Sequence, residues 1–434
     1  MRSHVPSPNR LVGHSLPMRV RLFASIPVLD AIANQVSNAF NLQVGPLSFL
    51  QVMRGGLLIA MLFITLGEIP APDIRLHRKS LVAALLVVLG AVAFTIVGLI
   101  EFDELPRSNA VAYLQLAYWA FYWIVALVVC RSREYCRAVL TGIVAGALVA
   151  ALSIYIGLVG GGLNPYNYQG VLASSGWFHT SKEVAGTTLV GAFSALYLGH
   201  RTRPRASVVL AVLLVAASLS TLARAAALGC ALALLWIALW RLFLAPPRSN
   251  RSWALNMLGM MTLFVLAFVC VRGTYDIERR WSDVAEGKQA GSGRATFWPA
   301  AIKAYSELDI PRMAYGIGYD AMLGDMLVRY GSRIHTHNDV LDMLLTGGVV
   351  GLIILGFVWR ALLALMWRLP RHSSGFVIAG AILLVWFSQS IFTGQIWAPD
   401  AMTAYIAALV ALSYSERPLT RHRTGYRAGL LRPS

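Results

Sequence analysis

The chain reads as an all-α, polytopic membrane protein of about twelve transmembrane helices, and three observations predict that class. Of its 434 residues, 57% are hydrophobic and only 13% charged, and mean hydropathy is +0.62; a soluble domain cannot bury so much apolar surface. The apolar residues are gathered into stretches of about 17 to 22 residues, the length that crosses a hydrocarbon core. Arginines recur in the joins after every second stretch.

In order, the predicted spans are 22–39, 46–66, 80–100, 110–130, 138–158, 183–199, 206–222, 225–245, 253–272, 340–367, 375–393 and 399–414. Asp30, Asn34 and Gln35 interrupt the first. An interfacial helix is the other reading there, and the parity of the remaining spans argues for a crossing. Arg54 in the second span needs a partner inside the bundle, and Asp30 is available. Basic clusters lie at Arg75, Arg78 and Lys79, at Arg131, Arg133 and Arg137, at Arg201, Arg203 and Arg205, at Arg248 and Arg251, and at Arg368 and Arg371. Arg2, Arg10, Arg19 and Arg21 at one terminus and Arg417, Arg421, Arg423, Arg427 and Arg432 at the other extend that set. The positive-inside rule therefore puts both termini in the cytoplasm.

The opposite joins are short and acidic, as at Glu101, Asp103 and Glu104, or long. The longest, 273–336, is expected to be a periplasmic loop with short helices between the ninth and tenth spans, within one membrane domain covering 1–434. The net charge of +17 is dispersed over short loops, which makes it a topology signal and argues against nucleic-acid binding. Cys130 and Cys136 flank a cytoplasmic join and Cys230 and Cys270 sit in spans, so no disulfide framework is predicted. The basic N-terminus lacks a small-residue cleavage pattern and reads as a retained leader.

Polar residues on the outer side cluster where spans meet loops. Thr180 with Glu183 in "WFHTSKEVAG" and Thr336 with Asp339 in "IHTHNDVLDMLLTGGVVGL" have capping-box spacing before an apolar run. Each predicts a helix N-terminus whose free N–H groups and positive dipole end attract anions. Lys182 lies beside the first mouth; Arg224 in "LSTLARAAALG" sits in a tight outer turn; Arg294 in "GSGRATFW" begins a short helix in the long loop. Together they predict a cationic pocket at the membrane surface, since a charge so near hydrocarbon is a functional candidate by default. Blander readings stand beside these: Arg224 snorkelling to the interface, Lys182 anchoring to headgroups, Arg294 solvated in its loop, Glu183 and Asp339 acting as caps alone.

With Thr336 as N-cap, His337 takes the first helical position, where the dipole lowers its pKa and leaves a neutral imidazole usable as a general base; a plain polar interface residue is the alternative. Asn338, Asp342 and Thr346 form a polar stripe that must line a hydrated cavity or pack on other spans. Gly347, Gly348 and Gly351 permit close approach or a break, making 338–346 a separate segment. No D-x-D occurs, and His335 with His337 lacks a companion ligand at recognisable spacing, so no metal and no cofactor is expected and arginines are left to neutralise charge.

"HTHNDVLDMLLTGGVVG", a His-Asn pair about ten residues before Gly-x-x-Gly and after a long outer loop, resembles the signature of the O-antigen ligase superfamily. "GWFHTSKEVAG", "LSTLARAAALG", "SGRATFW" and "YGIGYD" are similar to its Phe-x-x-Lys segment, Ser/Thr-x-x-Arg turn, loop arginine and following glycine turn. The likeness spans roughly 160–370, and Lys182-Glu183 stands where the family has Lys-Asn. It implies a glycosyltransferase at the periplasmic face of the inner membrane. A glycan would pass from undecaprenyl diphosphate to a hydroxyl, with inversion and without metal. By the same resemblance, Arg224 and Arg294 offset the diphosphate charge and His337 serves the acceptor hydroxyl; Lys182, Asn338 and Asp339 are supporting candidates. Lipid A-core is the implied acceptor, which makes a ligase the first expectation. An O-antigen polymerase or a protein O-oligosaccharyltransferase is the alternative within the superfamily, and a lipid-linked oligosaccharide flippase the alternative outside it.

Overall fold

A computed structural model gives the fold and describes residues 16–40, 42–44, 47–66, 78–102, 107–160, 165–168, 171–174, 181–200, 202–221, 223–243, 294–330 and 335–416. In chain order the helices are α1 (Met18–Phe40), α2 (Phe49–Leu66), α3 (Arg78–Phe102), α4 (Arg107–Val129), α5 (Arg133–Gly160), α6 (Ser181–Gly199), α7 (Pro204–Ser220) and α8 (Arg224–Phe243). After them come α9 (Arg294–Ser306), α10 (Ile310–Tyr315), α11 (Tyr319–Tyr330), α12 (Asp339–Trp367), α13 (Ser374–Phe392) and α14 (Pro399–Ser415). Among the described residues, two small antiparallel hairpins, β1 (Gln43–Val44) with β2 (Leu47–Ser48) and β3 (Pro165–Tyr168) with β4 (Val171–Ser174), depart from the all-helical pattern. Every predicted span has a helix over it except 253–272, which lies outside the described residues.

Among the described residues, five helices are long and apolar enough to cross a membrane: α3, α4, α5, α12 and α13. α2, α7 and α8 contribute shorter apolar runs. Their outward faces carry Ile59, Phe63, Leu89, Val92, Ile96, Leu152, Leu235 and Ile353, all at least half exposed. A helical face so apolar suits lipid, where backbone groups are satisfied within the helix and side chains need no water. The interior is built on Tyr118, Trp119, Tyr122, Trp123 and Tyr405 from α4 and α14, each at most 1% exposed.

Polar contacts collect at two ends of this bundle. At one, Arg133 Nε donates to Ser415 O (3.0 Å), Tyr197 Oη donates to Glu416 Oε1 (2.9 Å) and Trp240 Nε1 donates to Arg371 O (2.7 Å). These contacts join the start of α5, the ends of α6, α8 and α14, and the α12–α13 turn, with Arg133 and Arg371 belonging to the basic clusters. The other end gathers the starts of α6, α8, α12 and α14 with the end of α13, and holds the candidate site.

α1 shows why its polar residues are compatible with a hydrophobic bundle. Asp30, Asn34 and Gln35 are all buried, at 7% exposure or less. Arg54 Nε donates to Asp30 Oδ1 (3.1 Å), as the sequence suggests, and the same guanidinium also pairs with Asp400 of α14. Asn34 donates to Asp400 as well, and Gln35 Nε2 donates to Val149 O (2.9 Å).

The glycine cluster in α12 behaves as its composition predicts. Gly348 takes φ +61° and ψ −152°, so the helix breaks there and resumes. An added Cβ at Gly348 would lie 2.5 Å from Ala314 C, which leaves only glycine able to combine that dihedral with that approach. The turn after α10 satisfies the broken segment: Ile317 N donates to Leu345 O (2.8 Å) and Gly318 N to Thr346 O (3.1 Å).

The short helices of the long loop fasten to one another. Arg329 Nη2 donates to Glu307 Oε2 (2.5 Å) and Arg329 Nε to Asp325 Oδ2 (2.7 Å), tying α11 to the end of α9. The hydrogen bond from Arg329 holds the Glu307 carboxyl below its usual range. A depressed carboxyl stabilises the fold above its unfolded pKa and loses that contribution as pH falls through the folded value. Hydrogen-exchange protection over 294–330, measured relative to each amide's intrinsic rate, is therefore expected to fall below about pH 4. In Glu307→Gln the step should vanish; its persistence would count against the clasp.

Candidate active site

The start of α12 differs from the capping box that the sequence suggests. Asn338, not Thr336, is the N-cap: its side-chain oxygen accepts from Val340 N (2.9 Å) and Leu341 N (3.2 Å). Thr336 is drawn off the helix end because Asp342 Oδ1 accepts both its N–H and its hydroxyl, each at 2.7 Å. His337 consequently stands one residue outside the cap at φ +59°, the left-handed region that a residue with a Cβ rarely adopts. The first helical position belongs to Asp339, so the dipole argument made for His337 at that position does not apply.

Asp339 is 1% exposed and points away from the cap. Its Oδ2 accepts from Ser390 Oγ (2.5 Å) and its Oδ1 from Gln395 N (2.6 Å) and Ile396 N (2.9 Å), fastening α12 to the turn between α13 and α14. Asp339→Ala orphans two buried N–H groups and a hydroxyl, each costing about 1–3 kcal/mol. It is expected to lower the unfolding midpoint clearly, with Asp339→Asn, which keeps one oxygen acceptor, falling between. A wild-type midpoint for Asp339→Ala would remove the tether.

Around His337 the polar stripe proves to be packed rather than open: Asn338 is 8%, Asp342 0% and Thr346 1% exposed. His335 Nδ1 lies 2.9 Å from Asp342 Oδ2, and His335 Nε2 lies 3.1 Å from His337 Nδ1. Phe297 of α9 sits beside the His337 ring, with centroids 6.1 Å apart. Tyr319, at the start of α11, lies against Trp397 with ring centroids 4.8 Å apart and the planes tilted by 55°. Burial, with the nearby Asp342 carboxylate, pushes its phenol well above the ordinary range.

The side chains of Lys182, Arg224 and Arg294 lie outside the described part of the structure, as do Thr180 and the rest of 175–180. Their helices are described, and all three positions fall in a first turn: Lys182 is the second residue of α6, Arg224 the first of α8 and Arg294 the first of α9. Those first turns meet the end of α13. Ser388 Oγ donates to Ala225 O (2.8 Å), next to Arg224. Trp298, one turn after Arg294, stacks on Phe392 with centroids 6.2 Å apart. A Cβ at Gly186, one turn after Lys182, would lie 2.9 Å from Gln389 Oε1. With Ser390 on Asp339, four helix starts thus share one hub of side-chain and backbone contacts at 388–396.

Sequence reasoning missed that hub, although "SQSIFTGQIW" carried a signal. Ser388, Gln389, Ser390, Thr393 and Gln395 cannot face lipid, and all are buried. It also missed the part taken by His335 and Asp342 around His337. Among the described residues, open pockets also lie elsewhere, one of about 580 Å³ beside Arg78, Lys79 and Arg360 and one of about 360 Å³ beside Trp236 and Trp359.

Comparison with known proteins bears on the same segment. No curated protein matches the chain. Residues 206–356 match the family described as O-Antigen ligase, a region that runs from α7 through the break in α12 and contains Arg224, Arg294 and His337. That family comprises membrane glycosyltransferases of the ligase and polymerase type. The match covers about a third of the chain and supports a member of the O-antigen ligase/polymerase superfamily.

Proposed function

We propose that the protein is an O-antigen ligase. It transfers a glycan from undecaprenyl diphosphate to a sugar hydroxyl of lipid A-core at the periplasmic face of the inner membrane, with inversion and without a metal. The observation that carries this is the meeting of the first turns of α6, α8 and α9 with His337 around the end of α13. Helix starts offer N–H groups and a positive dipole end to an anion, and two of them begin with arginine. In the proposed chemistry Arg224 and Arg294 offset the charge that develops on the departing diphosphate, with Lys182 as a further ligand. His337 takes the acceptor proton from the opposite side of the anomeric carbon. Asn338 and Asp339 hold the segment that carries His337.

The test is reconstitution of the purified protein in liposomes with carrier-linked glycan and lipid A-core, with and without chelator. Glycosylated lipid A-core, formed at the same rate with chelator present, is the expected product. Longer glycan on the carrier would identify a polymerase instead. Movement of donor across the bilayer with no new glycosidic bond would identify a flippase, and loss of transfer on chelation would overturn the metal-free scheme.

A further inference from the structure

We propose that Asp342 and His335 are positioning residues for His337, a buried carboxylate and an imidazole in line that fix which His337 nitrogen carries its proton. The proposal rests on His337 being the base of the transfer reaction described above. Asp342 Oδ2 is 2.9 Å from His335 Nδ1, and His335 Nε2 is 3.1 Å from His337 Nδ1, with the two rings nearly perpendicular at 81° and centroids 4.2 Å apart. Asp342 is fully buried, and its other oxygen is taken by Thr336 N–H and Oγ1. It faces donors on every side, as a carboxylate must, since it can only accept.

The proton order follows from that constraint. His335 Nδ1 carries the hydrogen shared with Asp342, so in the neutral ring Nε2 holds a lone pair and accepts. His337 Nδ1 must then be the donor, which leaves His337 Nε2 as the unprotonated nitrogen. The His337 backbone N–H also approaches His335 Nδ1, at 3.3 Å, but the shorter contact to a charged acceptor decides that nitrogen's state. Gly394 closes the turn over the pair at φ +67°; a Cβ there would stand 3.0 Å from Asp342 Oδ2 and 3.1 Å from His335 Cε1. Of the titratable groups facing the line, Asp339 stands on the same helix start and the Tyr319 phenol faces Asp342 from α11. Arg294 opens α9, whose Phe297 lies against His337.

In the step so arranged, the acceptor oxygen bonds to the anomeric carbon as the carbon–oxygen bond to diphosphate breaks with its electron pair. The hydroxyl proton moves to His337 Nε2. The resulting imidazolium is stabilised through His335 by the Asp342 charge until the proton passes to water or to the departed diphosphate.

The full-length protein in liposomes, assayed with carrier-linked glycan and lipid A-core between about pH 5 and 9, tests this with four variants. His335→Gln and Asp342→Asn are expected to lower kcat roughly 10- to 100-fold, less than removal of a base itself, with KM little changed. Asp342→Asn should also move the acid limb of kcat/KM to lower pH, because the imidazolium loses its stabilising charge. Thr336→Val, which removes the hydroxyl bonds to Asp342 Oδ1 and Asn338 O but keeps the Thr336 N–H on Asp342, should shift the unfolding midpoint and leave the limb in place. If His337→Ala is inactive while His335→Gln and Asp342→Asn turn over as wild type, or lose kcat and KM together with the limb fixed, the relay is overturned and the base survives. If His337→Ala transfers at the wild-type rate, the underlying assignment is overturned instead. Should Asp342→Asn fail to fold, His335→Gln decides alone, since its side chain is 22% exposed and fills no sealed core site.

Discussion

Replacing His337 with alanine is expected to slow glycan transfer by a factor of about 10²–10⁴ while leaving the bundle folded. The expected loss is large because a sugar hydroxyl is a poor nucleophile at neutral pH and His337 is the imidazole held beside the α13 hub. Little stability is at stake, because the side chain is only partly buried and its residue lies outside the helix cap. Backbone strain gives a second handle. At φ +59° both histidine and alanine bear a cost of about 1 kcal/mol that glycine escapes. His337→Gly should therefore be as inactive as His337→Ala and unfold later, separating the chemical role of the imidazole from any structural one. Single-turnover transfer and thermal unfolding in detergent measure the two effects. A His337→Gly protein that transfers normally would end the general-base assignment.

How far the sequence carries depends on which force decides each feature. Helices were legible because long apolar runs impose helical structure on each stretch separately: helices cover the predicted stretches wherever residues are described, and five of them are long and apolar enough to cross a membrane. The break at Gly348 was legible for the same local reason. The cap of α12 was not: spacing favours Thr336, but Asp342 takes Thr336 by a contact made four residues inside the helix, and Asn338 inherits the end. Spacing also cannot show which span end packs on which helix start. The hub at 388–396 therefore stayed hidden, though its buried polar residues are as improbable in lipid as the arginines that did draw attention. Arg224 was singled out by its charge in a tight turn near hydrocarbon and Arg294 by its place at a helix start in the long loop, and the structure adds that both helices begin beside a common partner, α13.

Arg54 lies one step deeper beneath the same end and sets the other large expectation. Asp400, in the first turn of α14, is four residues beyond Ile396, whose N–H binds Asp339, so the ion cluster and the site share one turn of chain. The guanidinium is the cation set between Asp30 and Asp400, with Tyr118 stacked at 5.8 Å from its centre. Arg54→Ala leaves two buried carboxylates facing each other, and removing one member of such a set costs about 3–5 kcal/mol. Arg54→Lys keeps the charge but lacks the planar fork that reaches both acids at once, so it should fall between alanine and wild type. The triple replacement Asp30→Asn, Arg54→Met and Asp400→Asn removes charge and countercharge together. It should recover most of the loss, because a neutral packed core avoids desolvating ions. Urea unfolding in detergent ranks the four proteins. If Arg54→Ala unfolds no earlier than wild type, or the triple variant is the least stable of all, the cluster is not a compensated ion network and the joining of α1, α2 and α14 must rest on apolar packing alone.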